Sequence, residues 1–170
     1  PSGKSVLLRS RFEDHFELAI RDLTTGQQKI VHRAPRPQLA ISWSPDGENV
    51  IFQQKSQGPH YELYLITVSS GDIRKLDVPP SSSARQPLLW SPDSSSVVYT
   101  AAEKMHTPIP LCSIFIVDPS GVNPARVLKD KIRADALYAW SPDGMQLVLV
   151  PDVEKPDLLR FSREGQVLQQ

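Results

Sequence analysis

Trp-Ser-Pro-Asp occupies residues 43–46, 90–93 and 140–143, so one tetrapeptide recurs at spacings of 47 and 50 residues. A chain that repeats a motif at a near-constant period of this size is built of like units stacked side by side, because one unit cannot bury its apolar face alone. The stretch between motifs is long enough for four short strands and their turns, and too short for an independent domain.

Alignment on the tetrapeptide exposes further shared punctuation. A β-rich run follows each Pro-Asp turn, at residues 49–52, 96–99 and 146–149, and Ser5-Val6-Leu7-Leu8 matches it after Pro1-Ser2-Gly3. A second run follows a polar loop, at residues 16–20, 61–68, 112–117 and 157–161. Then come Thr25-Gly26, Ser70-Gly71, Ser120-Gly121 and Glu164-Gly165, pairs suited to hairpin turns that need a positive φ. A more polar strand follows, such as Gln28–Val31 or Ile73–Leu76, and a short apolar run leads into the next Trp. Helical periodicity is absent. In Tyr61–Val68 apolar residues occupy both parities, which predicts a strand covered on both faces. The expected fold is all-β, a β-propeller of four-stranded antiparallel blades akin to the WD40 type, with the tryptophans packed between blades. A β-sandwich is the rival, but nothing in a sandwich requires one tetrapeptide at constant spacing.

Within the turn, Pro presets φ, Asp46 can accept from following amides, and Gly47 or Gly144 can turn left-handed. Ser94 stands where the third unit would have that glycine, and Ser2 stands where the first would have the aspartate. Either change weakens its turn by about 1 kcal/mol or less.

Bulk properties exclude several functions. Lys plus Arg equals Asp plus Glu at 19 each, which speaks against a general nucleic-acid binder. No apolar run approaches the ~18–20 residues of a membrane span. The single Cys112 excludes an intramolecular disulfide and a multi-cysteine zinc site, and its strand-like neighbours predict an inert buried thiol. There is no Gly-x-Ser-x-Gly elbow and no phosphate-cradling glycine loop. Ser81–Ser83 and Ser94–Ser96 read as turns. His15, His32, His60 and His106 lack metal-ligand spacing, although His15, His60 and His106 fall in equivalent loops. No catalytic residue, cofactor site or metal site is expected.

Arg36, Arg85 and Arg133 each lie five to seven residues before a Trp, in the loop entering the next innermost strand. In a propeller such loops gather around one mouth of the central channel, where guanidinium forks could receive a partner's carboxylates. Asp135 and Glu48 are nearby in sequence and could balance them. The stretch from Glu103 to Leu111 enlarges the third unit and carries Met105, Ile109 and Leu111, which suit either recognition or packing over its own blade. Tyr61 and Tyr138 are the only weak candidates for an aromatic saccharide site.

The in-register Trp-Ser-Pro-Asp-Gly turn, followed by two β-runs and a Gly turn, resembles the TolB-like propeller repeat along essentially the whole chain. The resemblance implies that the run ending at Trp is innermost and the polar run after the Gly turn outermost. Residues 38–80, 86–130 and 136–170 would then be complete blades, and residues 1–34 a blade lacking its innermost strand. Propellers of this family close with more blades than this chain supplies. Three resolutions are open: a fragment of a longer protein, which is favoured, closure by self-association with another copy, and a tight ring. The resemblance further implies a non-catalytic scaffold for a protein or peptide partner, or for ligand sensing, in a periplasmic or extracytoplasmic setting. The alternative is the substrate-gating propeller of a prolyl-oligopeptidase-like serine peptidase whose catalytic domain is absent from this chain.

Overall fold

The alternation of β-rich runs and turn residues folds into 15 strands with no helix among the described residues. The computed structural model describes residues 3–83, 87–102, 111–133, 136–152 and 157–169. The first sheet has three strands, β1 (Ser5–Arg11), β2 (Phe16–Asp22) and β3 (Gln28–Ala34). The second comprises β4 (Gln38–Trp43), β5 (Asn49–Lys55), β6 (Tyr61–Thr67) and β7 (Ile73–Lys75). The third comprises β8 (Leu89–Trp90), β9 (Val97–Ala102), β10 (Leu111–Val117) and β11 (Arg126–Arg133). The fourth comprises β12 (Leu137–Trp140), β13 (Gln146–Val150), β14 (Leu159–Ser162) and β15 (Val167–Gln169). Every sheet is an antiparallel meander in sequence order, the first with three strands and the others with four among the described residues.

Three apolar layers lie between successive sheets. Val50, Phe52 and Ile66 pack with Leu18 and Val31 of the first sheet, whereas Ile51, Leu63 and Leu65 pack with Trp90, Val97 and Tyr99 of the third. Both parities of β5 are therefore core, which explains the absence of polar alternation. β9 does the same, with Val97 and Tyr99 on one side and Val98 on the other, toward Leu147, Leu149 and Phe161 of the fourth sheet. Alternation returns where neighbours run out: in β13 Leu147 and Leu149 are buried, and Val148 and Val150 are half-buried. Cys112 is buried in the layer between the third and fourth sheets.

The turns are held by the serine of the motif as much as by its aspartate. Ser44 Oγ accepts from the Asn49 amide at 2.9 Å and donates to Asp46 at 2.5 Å. Ser91 repeats this with Ser96 and Asp93, at 3.0 and 2.7 Å, and Ser141 with Gln146 and Asp143, at 2.9 and 2.5 Å. Ser94 keeps the left-handed geometry of its glycine counterparts, with φ of 64° against 80° at Gly47 and 70° at Gly144. Its hydroxyl accepts from the Asp46 amide at 3.0 Å, tying two successive turns together and offsetting the backbone cost. Arg163, 2.7 Å from Asp93, links the third and fourth sheets at the same end.

Candidate partner-binding rim

The meander sends every other connection to the same end of the arc. The Trp-Ser-Pro-Asp turns and Gly turns share one end. The β1–β2, β5–β6 and β13–β14 loops share the other end with the linkers between sheets. Arg36, in the linker between β3 and β4, is at this linker end, half-buried, with its carbonyl accepting from Gln38 Nε2 at 3.2 Å. Arg133 is also there, as the last residue of β11 rather than a linker residue, because that strand continues through an irregular register to pair Arg133 with Leu111. Arg85 lies outside the described residues, as do His106 and Asp135.

Of the two expected balancing charges, Asp135 lies outside the described residues and Glu48 is placed away from Arg36. Glu48 sits in the turn after β4, at the opposite end of that strand from Arg36. Among the described residues Asp152 lies 3.8 Å from Arg133, half-exposed like its partner. The sequence reading also missed Arg9, which donates from β1 to the Gln38 carbonyl at 2.7 Å and braces the first sheet against β4.

The same end holds a charged cluster built on β2 and β3. Register places Glu17 opposite Arg33, and Arg33 Nε donates to Glu17 Oε1 at 2.6 Å. His15 lies between Asp14, at 2.6 Å from Nδ1, and Glu17, at 3.1 Å from Nε2, and stacks on Phe12 with centroids 4.7 Å apart. With carboxylates at both ring nitrogens the imidazolium is favoured, so hydrogen bonds to Asp14 and then Glu17 raise the His15 pKa above its usual 6.5. The same bonds lower Asp14, through His15, and Glu17, through His15 and Arg33. The cluster borders an open groove of about 530 Å³, also lined by Ala34 and Pro35.

Proton NMR of the imidazole C–H signals is expected to show His15 titrating above 6.5, and Glu17→Gln to move it back toward that value. Because its folded pKa is raised, the His15 contribution is present below its unfolded value and lost as pH rises through the folded pKa, whereas the lowered Asp14 and Glu17 lose theirs as they protonate in acid, so the cluster stabilises most between those limits. A midpoint at or below 6.5 in the unaltered chain would contradict this arrangement.

His32, Tyr138 and Tyr61 make contacts within and between the sheets. His32 Nε2 lies 2.8 Å from Gln54 Oε1, and its ring is tilted against Phe52, joining the first two sheets. Tyr138 donates to the Pro87 carbonyl at 2.8 Å, and burial pushes its phenol pKa up. Tyr61 is half-buried in β6 and pairs through its backbone with Ser81. No group of three or more His, Cys, Asp or Glu that could hold a metal occurs among the described residues. No helix there is long and apolar enough to cross a membrane.

No protein-family model matches the chain. A 61-residue stretch is 39% identical to a Bacillus subtilis protein described as an uncharacterized peptidase, YuxL, covering 35% of this chain and 9% of that protein. Another comparison over 61 residues gives 34% identity to the Tol-Pal system protein TolB of Escherichia fergusonii, covering 36% of this chain and 14% of TolB. The solved TolB of Acinetobacter baumannii superposes with a TM-score of 0.66 at 20% identity, over 99% of this chain and 41% of that one. The propeller domain of the Trilobed protease from Pyrococcus furiosus gives 0.67 at 16%, over 98% and 53%. The matched region is thus a small part of the curated relatives and about half or less of these solved chains. The recurring tetrapeptide turns, the stacked antiparallel meanders and these likenesses together show a β-propeller fold similar to that of TolB.

Proposed function

We propose that this propeller is a non-catalytic scaffold that binds a protein or peptide partner at the linker end, where Arg36, Arg85 and Arg133 receive acidic side chains. The supporting observation is that Arg36 and Arg133 reach the same end from different sheets, both half-buried. The likeness to TolB supports a protein partner in an envelope setting, and self-association through the end sheets accords with the same reading.

Replacing the three arginines together by alanine is expected to weaken binding of a fluorescein-labelled glutamate-rich peptide by roughly tenfold or more, read by anisotropy. The melting temperature should hardly move, since half-exposed ion pairs contribute about 1 kcal/mol or less. Added salt should weaken binding to the unaltered chain. Equal affinity of the two proteins would return these residues to solvated loop charges.

A second reading rests on the likeness to proteins described as peptidases: the propeller gates substrate to a serine peptidase domain elsewhere in a longer polypeptide. Labelling of the natural full-length protein by a fluorophosphonate probe would decide for it, and absence of labelling would decide for the scaffold.

A further inference from the structure

The outer strands of the first three sheets carry a basic residue at one register position. Lys29 of β3, Arg74 of β7 and Arg126 of β11 pair with Ile20, Leu65 and Ile116, which pair in turn with Leu7, Ile51 and Val98. Each of the three cations reaches the Gly turn of the next sheet. Lys29 Nζ donates to the Ser69 and Ser70 carbonyls, at 3.2 Å each, just before Gly71. Arg126 donates to the Arg163 and Glu164 carbonyls, at 3.3 and 3.0 Å, just before Gly165. Arg74 lies over Gly121, where an added Cβ would come within 2.6 Å of Nη1. Yet its guanidinium makes no hydrogen bond or ion pair among the described residues, although the residue is half-buried. A half-desolvated guanidinium with its donors unused favours a carboxylate, which it meets through two parallel hydrogen bonds.

Arg74 separates two chambers of the cleft between the second and third sheets, each of about 380 Å³. The inner chamber is polar. Asn49 and Thr67, opposite each other in β5 and β6, line it with side chains that make no hydrogen bond among the described residues. The outer chamber is lined by Leu76, Val78, Val117 and Val122, and Val122 is 81% exposed. An aliphatic side chain seated there removes apolar surface of Val122 from water. Asp118 borders both chambers, but its oxygens are engaged within its own turn. Oδ1 accepts from the Ser120 amide and hydroxyl, and Oδ2 from the Asn123 amide and Nδ2.

We propose that this cleft binds a peptide carboxyl terminus ending in an aliphatic residue. The terminal carboxylate pairs with Arg74, and the last side chain covers Val122 in the apolar chamber. Preceding carbonyls accept from Asn49 Nδ2 and Thr67 Oγ1. An apolar group on one side of the carboxylate and hydrogen-bonding groups on the other distinguish a chain end from a lone anion. The cleft is at the turn end, opposite Arg36 and Arg133, and stands apart from the partner reading made there.

Titration with acetyl-Ala-Ala-Leu bearing a free carboxyl group, followed by NMR of arginine Nε–H and valine methyl signals, tests it. The Arg74 and Val122 signals, assigned with Arg74→Gln and Val122→Ala, should shift together and saturably. The same peptide as its C-terminal amide should bind roughly tenfold or more weakly, and so should the free acid on Arg74→Gln. Acetate at equal concentration should move Arg74 less and leave Val122 in place. Equal binding of acid and amide, undiminished binding by Arg74→Gln, acetate as effective as the peptide, or no shift at all would each overturn the proposal.

Discussion

Trp90→Ala is expected to lower unfolding free energy by about 3–5 kcal/mol, the range for large aromatic truncations in a core. Trp90 is 6% exposed and packs in the layer shared by the second and third sheets, with Ile51, Leu63, Val97 and Phe115. Its removal deletes packing on both sheets and leaves the Ser42 carbonyl without its indole donor. The cavity cannot collapse easily, because rigid paired strands wall it on two sides. Urea unfolding followed by far-ultraviolet circular dichroism would measure the loss, and a change below about 1 kcal/mol would be incompatible with an inter-sheet core position.

Ser91→Ala should cost about 1–3 kcal/mol although it removes a single oxygen. Ser91 is fully buried, and its Oγ accepts from the buried Ser96 amide and donates to Asp93. Alanine strands the amide and strips a donor from the carboxylate. Although burial raises the Asp93 pKa, the hydrogen bonds from Ser91 and Ser95 and the nearby Arg163 charge outweigh it and hold the group at about 2. The sign follows from the depressed value: the bonding of Asp93 stabilises fully above its unfolded pKa near 4 and is lost as pH falls through about 2. The penalty of Ser91→Ala should accordingly be largest at neutral pH and shrink in acid. A penalty independent of pH would separate the serine from Asp93.

The repeat unit was legible because its causes are local. A turn residue such as Gly26 or Gly71 acts within a few residues, and a β-rich run such as Asn49–Phe52 declares itself by composition. The serine of the motif was overlooked for an instructive reason. Its hydroxyl reaches an amide five residues ahead, across the hairpin, so a reading confined to the Pro-Asp-Gly turn gives it no task; its presence in every copy was the available signal. The cluster around His15 was half visible. Asp14, His15 and Glu17 are adjacent in sequence, but Arg33 joins them only through the register of β2 with β3. Arg133 was assigned to a linker because nothing local marks where a polar outer strand stops.

Short-range backbone preference and apolar composition suffice for the period, the four-strand unit, its turns and the two-sided burial of the central strands, so these could be read from the residues alone. Long-range packing sets which face meets which neighbour, brings Asp152 within 3.8 Å of Arg133, and leaves the Trp43 indole N–H without the carbonyl that Trp90 and Trp140 reach. Those facts join residues up to 51 positions apart. Hydrogen-bond satisfaction between sheets depends on where distant backbone lies, and a single repeat carries no record of its neighbour's position.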